Sequence, residues 1–322
     1  MVPAGELEAI WGPEITSTPY DQAGAAGSWE MQATALLQDG VLACAWGLAD
    51  SSRPQLVVLA MDDATEGFTL SESSFLDGQV FPYAPTPLGD RSSAFCRGDS
   101  PDAGIQCHWN VLSGSTWLSV FIQGVPEDEV QSDGAVSPDG DMGAIVRTVI
   151  DSVSAAPRIP VERLETTLPP CERVVTSDLL STVLEVDAAT VRVQSGRPVD
   201  QSMGKSTPTF GQVMWAYSYA RLGYSECSFV AGDVKGVAMV APGAAWILED
   251  PTARQPALVQ VDDLGEGIDE CVEEQGFVLC TVAVAVGADL ILAQIAPQSA
   301  DDGAYQALAL VRAIVEYEVQ PR

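Results

Sequence analysis

Cysteine and glycine recur in the same order and at the same spacing in both halves of this chain. Cys44 follows Gly40 by four residues, and Cys227 follows Gly223 by four. Each half then carries a close pair, Cys96/Cys107 and Cys271/Cys280. Seven residues past each pair stands a glycine, Gly114 and Gly287, inside an apolar run. Such a pattern reads as a duplicated, disulfide-stapled domain built for an oxidising compartment. No catalytic signature accompanies it.

A length of 322 residues suits two domains of about 150 residues each. The spacing predicts a first module over 1–156, a Pro-rich linker over 157–170 and a second module over 171–322. Pro157, Pro160, Pro169 and Pro170 fix φ and remove donors, so that segment resists both helix and sheet. The first half reads as a helical turn at Glu6–Trp11, a loop at Ala23–Ser28 and a mixed apolar stretch at Trp29–Leu37. Strand-like runs follow at Val41–Trp46, Gln55–Met61, Ser92–Cys96, Ile105–Leu112 and Thr116–Gln123, with a polar, Pro-rich stretch over Thr65–Asp90. A helix from about Asp141 to Val153 closes the unit. The second half repeats this order: a helix capped near Thr176, a stretch Gln212–Arg221, strands around Cys227 and Cys280, and a helix over Gly303–Tyr317. The expected class is α+β, with two tandem similar domains, each a twisted antiparallel sheet packed by N- and C-terminal helices.

Four cysteines in the second half allow three connectivities. Cys271 and Cys280, nine residues apart, are placed to staple a hairpin, which leaves Cys171 to bridge Cys227. In the first half Cys96–Cys107 is the hairpin staple, and Cys44 remains an unpaired thiol. By the spacing of the second half, its missing mate falls one or two residues ahead of Met1.

The formal charge is −30, from 45 acidic and 15 basic residues. Both halves are strongly negative, so phosphates of nucleic acids and anionic lipid headgroups are repelled. No apolar run is long enough to span a membrane. No basic, apolar leader precedes Val2, so export implies that such a segment has been removed, with Met1 as an added start.

Tests for chemistry come out bare. His108, the single histidine, alternates away from Cys107 and Trp109 on its strand and belongs to no nucleophile elbow. Ser202-Met203-Gly204-Lys205 matches S-x-x-K, but Gly204 and the flanking Pro198 and Pro208 predict a loop where that chemistry needs a helix. Gly204-Lys205-Ser206 lacks the first glycine of a phosphate loop, because Val199 stands there. Seven cysteines without a C-x-x-C give no zinc set, and no acidic cluster among Asp62/Asp63, Asp133–Asp141, Asp262–Glu266 or Asp301/Asp302 has calcium-loop spacing. No cofactor or metal is expected. Trp109 and Trp117 sit on adjacent hairpin strands about Gly114. With Trp46 they form the candidate binding surface if they share a face, and core packing is the competing reading.

Pro169-Pro170-Cys171, a helix with Leu179 and Leu180, Cys227, the Cys271/Cys280 hairpin and Cys44-Ala45-Trp46 together resemble a known group. These are the small α+β modules of actinobacterial cell-envelope lipoproteins and of the extracellular sensor regions of some serine/threonine kinases. The resemblance implies an extracellular address, anchored to the outer face of the cytoplasmic membrane through a lipid ahead of the chain, and a binding or sensing role. It carries no catalytic residue. The expected partner is a small molecule, a cell-wall component or an envelope protein. A carboxylate-pair hydrolase of envelope polymers and a two-module interaction scaffold are the rivals.

Overall fold

The computed structural model describes residues 4–18, 31–48, 55–76, 84–100, 104–130, 140–155, 169–195, 210–249, 258–274, 277–297 and 300–319. The chain forms two compact units, residues 1–161 with 205–218 and residues 162–204 with 219–322. This differs from the expected boundary, which gave all of 171–322 to the second module. The greater part of one helix, spanning Phe210–Leu222, is built into the first unit instead, up to Ser218. The expected Ala23–Ser28 loop, most of the linker and the Ser202–Lys205 match lie outside the described residues.

The first unit runs α1 (Ala4–Trp11), β1 (Ile15–Thr18), α2 (Met31–Gln38), β2 (Leu42–Leu48), β3 (Leu56–Met61), α3 (Thr65–Leu76), β4 (Ala84–Pro85), β5 (Arg91–Ser100), β6 (Gly104–Ser113), β7 (Thr116–Val125) and α4 (Asp141–Ser154). The second runs α5 (Cys171–Val174), α6 (Ser177–Val183), β8 (Val191–Ser195), α7 (Phe210–Leu222, from Tyr219 on), β9 (Ser225–Ala231), β10 (Val234–Ala241), α8 (Trp246–Glu249), β11 (Val259–Gln260), β12 (Glu266–Glu274), β13 (Phe277–Val286), β14 (Asp289–Ala296) and α9 (Ala300–Val319).

Strand for strand, the two sheets have one order. The first is β1-β2-β3-β7-β6-β5-β4, and the second is β8-β9-β10-β14-β13-β12-β11. All pairings are antiparallel. The registers coincide as well. Cys44 pairs with Val58, Val58 with Val120 and Val120 with Trp109, just as Cys227 pairs with Ala238, Ala238 with Ala293 and Ala293 with Val282. The fold is therefore α+β with two similar sheets.

Side-chain alternation gives each sheet two faces. On one, which we term the core face, Val58, Val111, Leu118, Val120 and Ile122 bury against Leu7 of α1 and Met142, Ile145 and Val149 of α4. In the second unit Val240, Val282, Ile291 and Ile295 do the same against Leu180 of α6 and Leu310 and Ile314 of α9. An N-terminal and a C-terminal helix thus seal the same face of both sheets. Helix α6 starts as its sequence suggests: the Thr176 side chain accepts a hydrogen bond from the Leu179 N–H, satisfying an orphan donor of the first turn.

The matched glycines have a structural cause. Helices α2 and α7 both end in a left-handed residue, Gly40 at φ 72° and Gly223 at φ 73°. The next amide then folds back onto the helix, Val41 N–H to Leu36 O at 2.9 Å and Tyr224 N–H to Tyr219 O at 3.0 Å. This closure positions the cysteine-bearing strand four residues on, and any residue with a Cβ would be strained at the turn.

Candidate functional site

The three expected disulfides are present, Cys96–Cys107, Cys171–Cys227 and Cys271–Cys280, with Cα separations of 4.1, 6.0 and 4.0 Å. The two hairpin staples join directly opposed residues of β5/β6 and β12/β13. The third ties the start of α5 to β9. Cys44 is the free thiol, half-buried on the core face, and burial pushes its pKa up. Cys171, Glu172 and Cys227 bring ligand-type atoms within 4.8 Å of one another, but the two sulfurs are bonded to each other. Disulfides of this kind suit an oxidising, extracellular setting. Among the described residues no helix is long and apolar enough to cross a membrane.

The tryptophan surface does not exist as expected. Trp46 and Trp109 lie on the core face at 7% and 1% exposure, while Trp117 is 0% exposed on the opposite face. Alternation decides this: Trp117 pairs with Leu112, an odd three residues from Trp109, so the two indoles point to opposite sides. They are packing residues. Two of the acidic turns have partners within the fold, and the stretch 133–139 lies outside the described residues. The Arg312 guanidinium donates to Asp262 and, at 2.7 Å, to Asp263, holding the Asp263 carboxyl below its ordinary pKa. Asp62 accepts from the Thr116 hydroxyl at 2.6 Å.

What the sequence did not single out is a buried polar tract on the opposite face of the first sheet. Gln55 just ahead of β3, Gln106, His108 and Asn110 on β6, and Ser119 on β7 are all buried there. A run of this kind is costly unless its hydrogen bonds are met. Asn110 shows how they are met. Its amide Nδ2 donates to the Ser71 hydroxyl on α3 at 2.8 Å, and its Oδ1 accepts from the Trp117 indole at 2.5 Å. Ser71 in turn donates to the Phe68 carbonyl at 2.6 Å. His108 lies against Phe121, ring centroids 4.8 Å apart. In the same unit Tyr217 meets the Trp117 edge at 6.2 Å, and it leaves no room for a side chain at Gly67, whose Cβ would fall 2.6 Å from that ring.

The matching positions of the second sheet, read by register, are Lys235 for Gln55, Leu279 for Gln106, Thr281 for His108, Ala283 for Asn110 and Leu292 for Ser119. Of the matching positions only Thr281 is both polar and buried, and among the described residues the continuous buried tract belongs to the first unit. A signal for it was available in the sequence: the single asparagine and the single histidine of the chain stand two residues apart on one strand, hence on one face. Chemically the tract offers amide, imidazole and hydroxyl groups beside Phe121. That set suits hydrogen bonding to a neutral polar ligand better than proton transfer. No family model, no curated protein and no solved structure matches this chain.

Proposed function

We propose that the chain is a non-enzymatic binding protein of the cell envelope, built from two copies of one ancestral module and held at the outer face of the cytoplasmic membrane by a lipid anchor. The first sheet's polar face is its ligand-recognising region. One observation carries the reading: two sheets of identical strand order, each with its hairpin disulfide at the same place, differ in the buried polar tract of one face. Gln106, His108 and Asn110 are buried where the second sheet has Leu279, Thr281 and Ala283. The partner classes that fit are a small polar molecule, a wall glycan or wall peptide, all rich in neutral donors and acceptors.

Purified cell-wall sacculi and their soluble muropeptide fragments are the direct probe. Co-sedimentation with sacculi and titration with fragments should show saturable binding, weakened about tenfold by Gln106→Ala, the loss of one well-placed hydrogen-bonding group. No new reducing ends should form. Release of reducing ends, or binding that Gln106→Ala and His108→Ala leave unchanged, overturns the proposal.

A further inference from the structure

The first strand of the second sheet presents a surface that its disulfides and its core do not explain. Strand β8 ends the sheet, and among the described residues no strand pairs with its outer side. It is the longest of the four edge strands: β4 and β11 have two residues each, β4 ending in Pro85, and β1 has four. Short length and proline are the usual means of blunting an edge, and β8 has neither. Its unpaired backbone groups form a template for another extended chain.

The flanking charges say what kind of chain fits. Arg192 of β8 is paired across the sheet with Val230, and Val230 with Lys235 of β10. Phe229 and Ala231 point into the core, so Val230 and both cations share the opposite face. Val230 is 40% exposed, and Arg192 and Lys235 are both exposed. Two strand spacings, about 10 Å, separate the cationic residues. In a chain carrying three acids for every base, neither has an ion-pair partner among the described residues. Gln194 and Ser228 extend this face one row further as uncharged polar groups. The strand itself, Val191-Arg192-Val193-Gln194-Ser195, holds no acid.

From this we infer that the β8 edge of the second unit is a strand-addition site for an extended acidic peptide segment of a partner protein. The peptide backbone completes the ladder on β8, an acidic side chain stands opposite Arg192, and its apolar neighbours alternate onto Val193. Lys235 adds long-range attraction on the same face. This surface is separate from the polar tract of the first sheet and does not depend on it.

A fluorescein-labelled peptide Thr-Glu-Val-Glu-Val-Glu-Thr, titrated with the disulfide-intact chain and followed by anisotropy, is the test. Saturable binding is expected. The double variant Arg192→Glu, Lys235→Glu should weaken it about tenfold or more, since two attractive contacts become repulsive. Both positions are exposed, so an unchanged circular dichroism spectrum is expected with it. The same peptide with glutamine for glutamate should bind about as weakly, and a version N-methylated at alternate backbone nitrogens should not bind. The inference fails if the peptide does not bind at millimolar concentration or if charge reversal leaves binding unchanged. It also fails if the N-methylated peptide binds equally, which would mark a simple anion site, or if light scattering shows a dimer that charge reversal dissolves, which would make the occupant a second copy of this chain.

Discussion

The two sheets agree on one face and disagree on the other. Facing α1 and α4, or α6 and α9, both are lined by apolar side chains in matching register. On the opposite face, amides, an imidazole and hydroxyls in the first sheet stand where the second has Leu279, Thr281, Ala283 and Leu292. The core face is constrained because its side chains pack in one buried cluster with those of the sealing helices. The opposite face is free to take on specific chemistry. The staples differ in the same way: both hairpins are cross-linked, but only the second unit ties its N-terminal helix to its sheet.

That last difference makes the largest predicted effect. Cys171–Cys227 closes a loop of 56 residues, and the loop-entropy account assigns it about 4 kcal/mol. Cys227→Ser with Cys171→Ser should lower the second unit's stability by about that amount in chemical denaturation. Cys44→Ser, at the matching position of the first sheet, should cost about 1 kcal/mol or less, because it breaks no covalent bond. Equal losses would show that the staple does not distinguish the units. Intact mass sharpens the same contrast: reduction should add six hydrogens, and one thiol should be titratable before it. Burial keeps the Cys44 thiol protonated at neutral pH, so its alkylation should be slow until denaturant is added.

The next effect concerns the polar tract. Trp117→Phe keeps an aromatic ring but removes the indole donor and part of the ring volume, leaving the Asn110 Oδ1 buried and unmatched. The expected cost is about 1–3 kcal/mol in the first unit. Leu290→Phe at the matching position of the second sheet removes no donor, so any loss there would be steric. If Trp117→Phe proves neutral, the hydrogen-bonded network is not holding the tract. Gly67→Ala tests the neighbouring contact and should cost about 1–3 kcal/mol, since its Cβ would overlap the Tyr217 ring.

How much of this was legible in the sequence follows from what kind of signal each element leaves. The central strands and closing helices were found within a few residues of their ends, because burial imposes unbroken apolar runs such as Phe277–Val286 and the spaced Ile145, Val146 and Val149. All four edge strands β1, β4, β8 and β11 were missed. An edge strand is short and packs on one neighbour only, so it leaves little alternation to read. Helix α3 was hidden for a different reason. Thr69 and Ser71 look like loop residues, yet their hydroxyls donate to carbonyls of their own helix, Thr65 and Phe68. The cysteine pairs were legible because opposed positions on a hairpin are fixed by spacing. The face of Trp117 was misjudged because proximity around Gly114 was used where parity decides.

The smallest effect separates the sheets by pH. Glu226 on β9 and Asp269 on β12 are carboxylates whose pKa values burial raises, and by register both stand where the first sheet has alanine, Ala43 and Ala94. For Glu226, the folded chain holds a proton that the unfolded chain has already lost, from its ordinary value of 4.5 up to its raised value. Stability contributed by this position therefore falls as pH rises through that window, and the deficit is complete above it. Glu226→Gln removes the buried charge without changing the shape. Its melting temperature should exceed that of the parent at pH 7 and match it below pH 4.5, whereas Ala43→Gln on the first sheet should give an offset that does not vary with pH. A Glu226→Gln difference that persists unchanged into acid would mean that desolvation of the carboxylate is not what distinguishes the two positions.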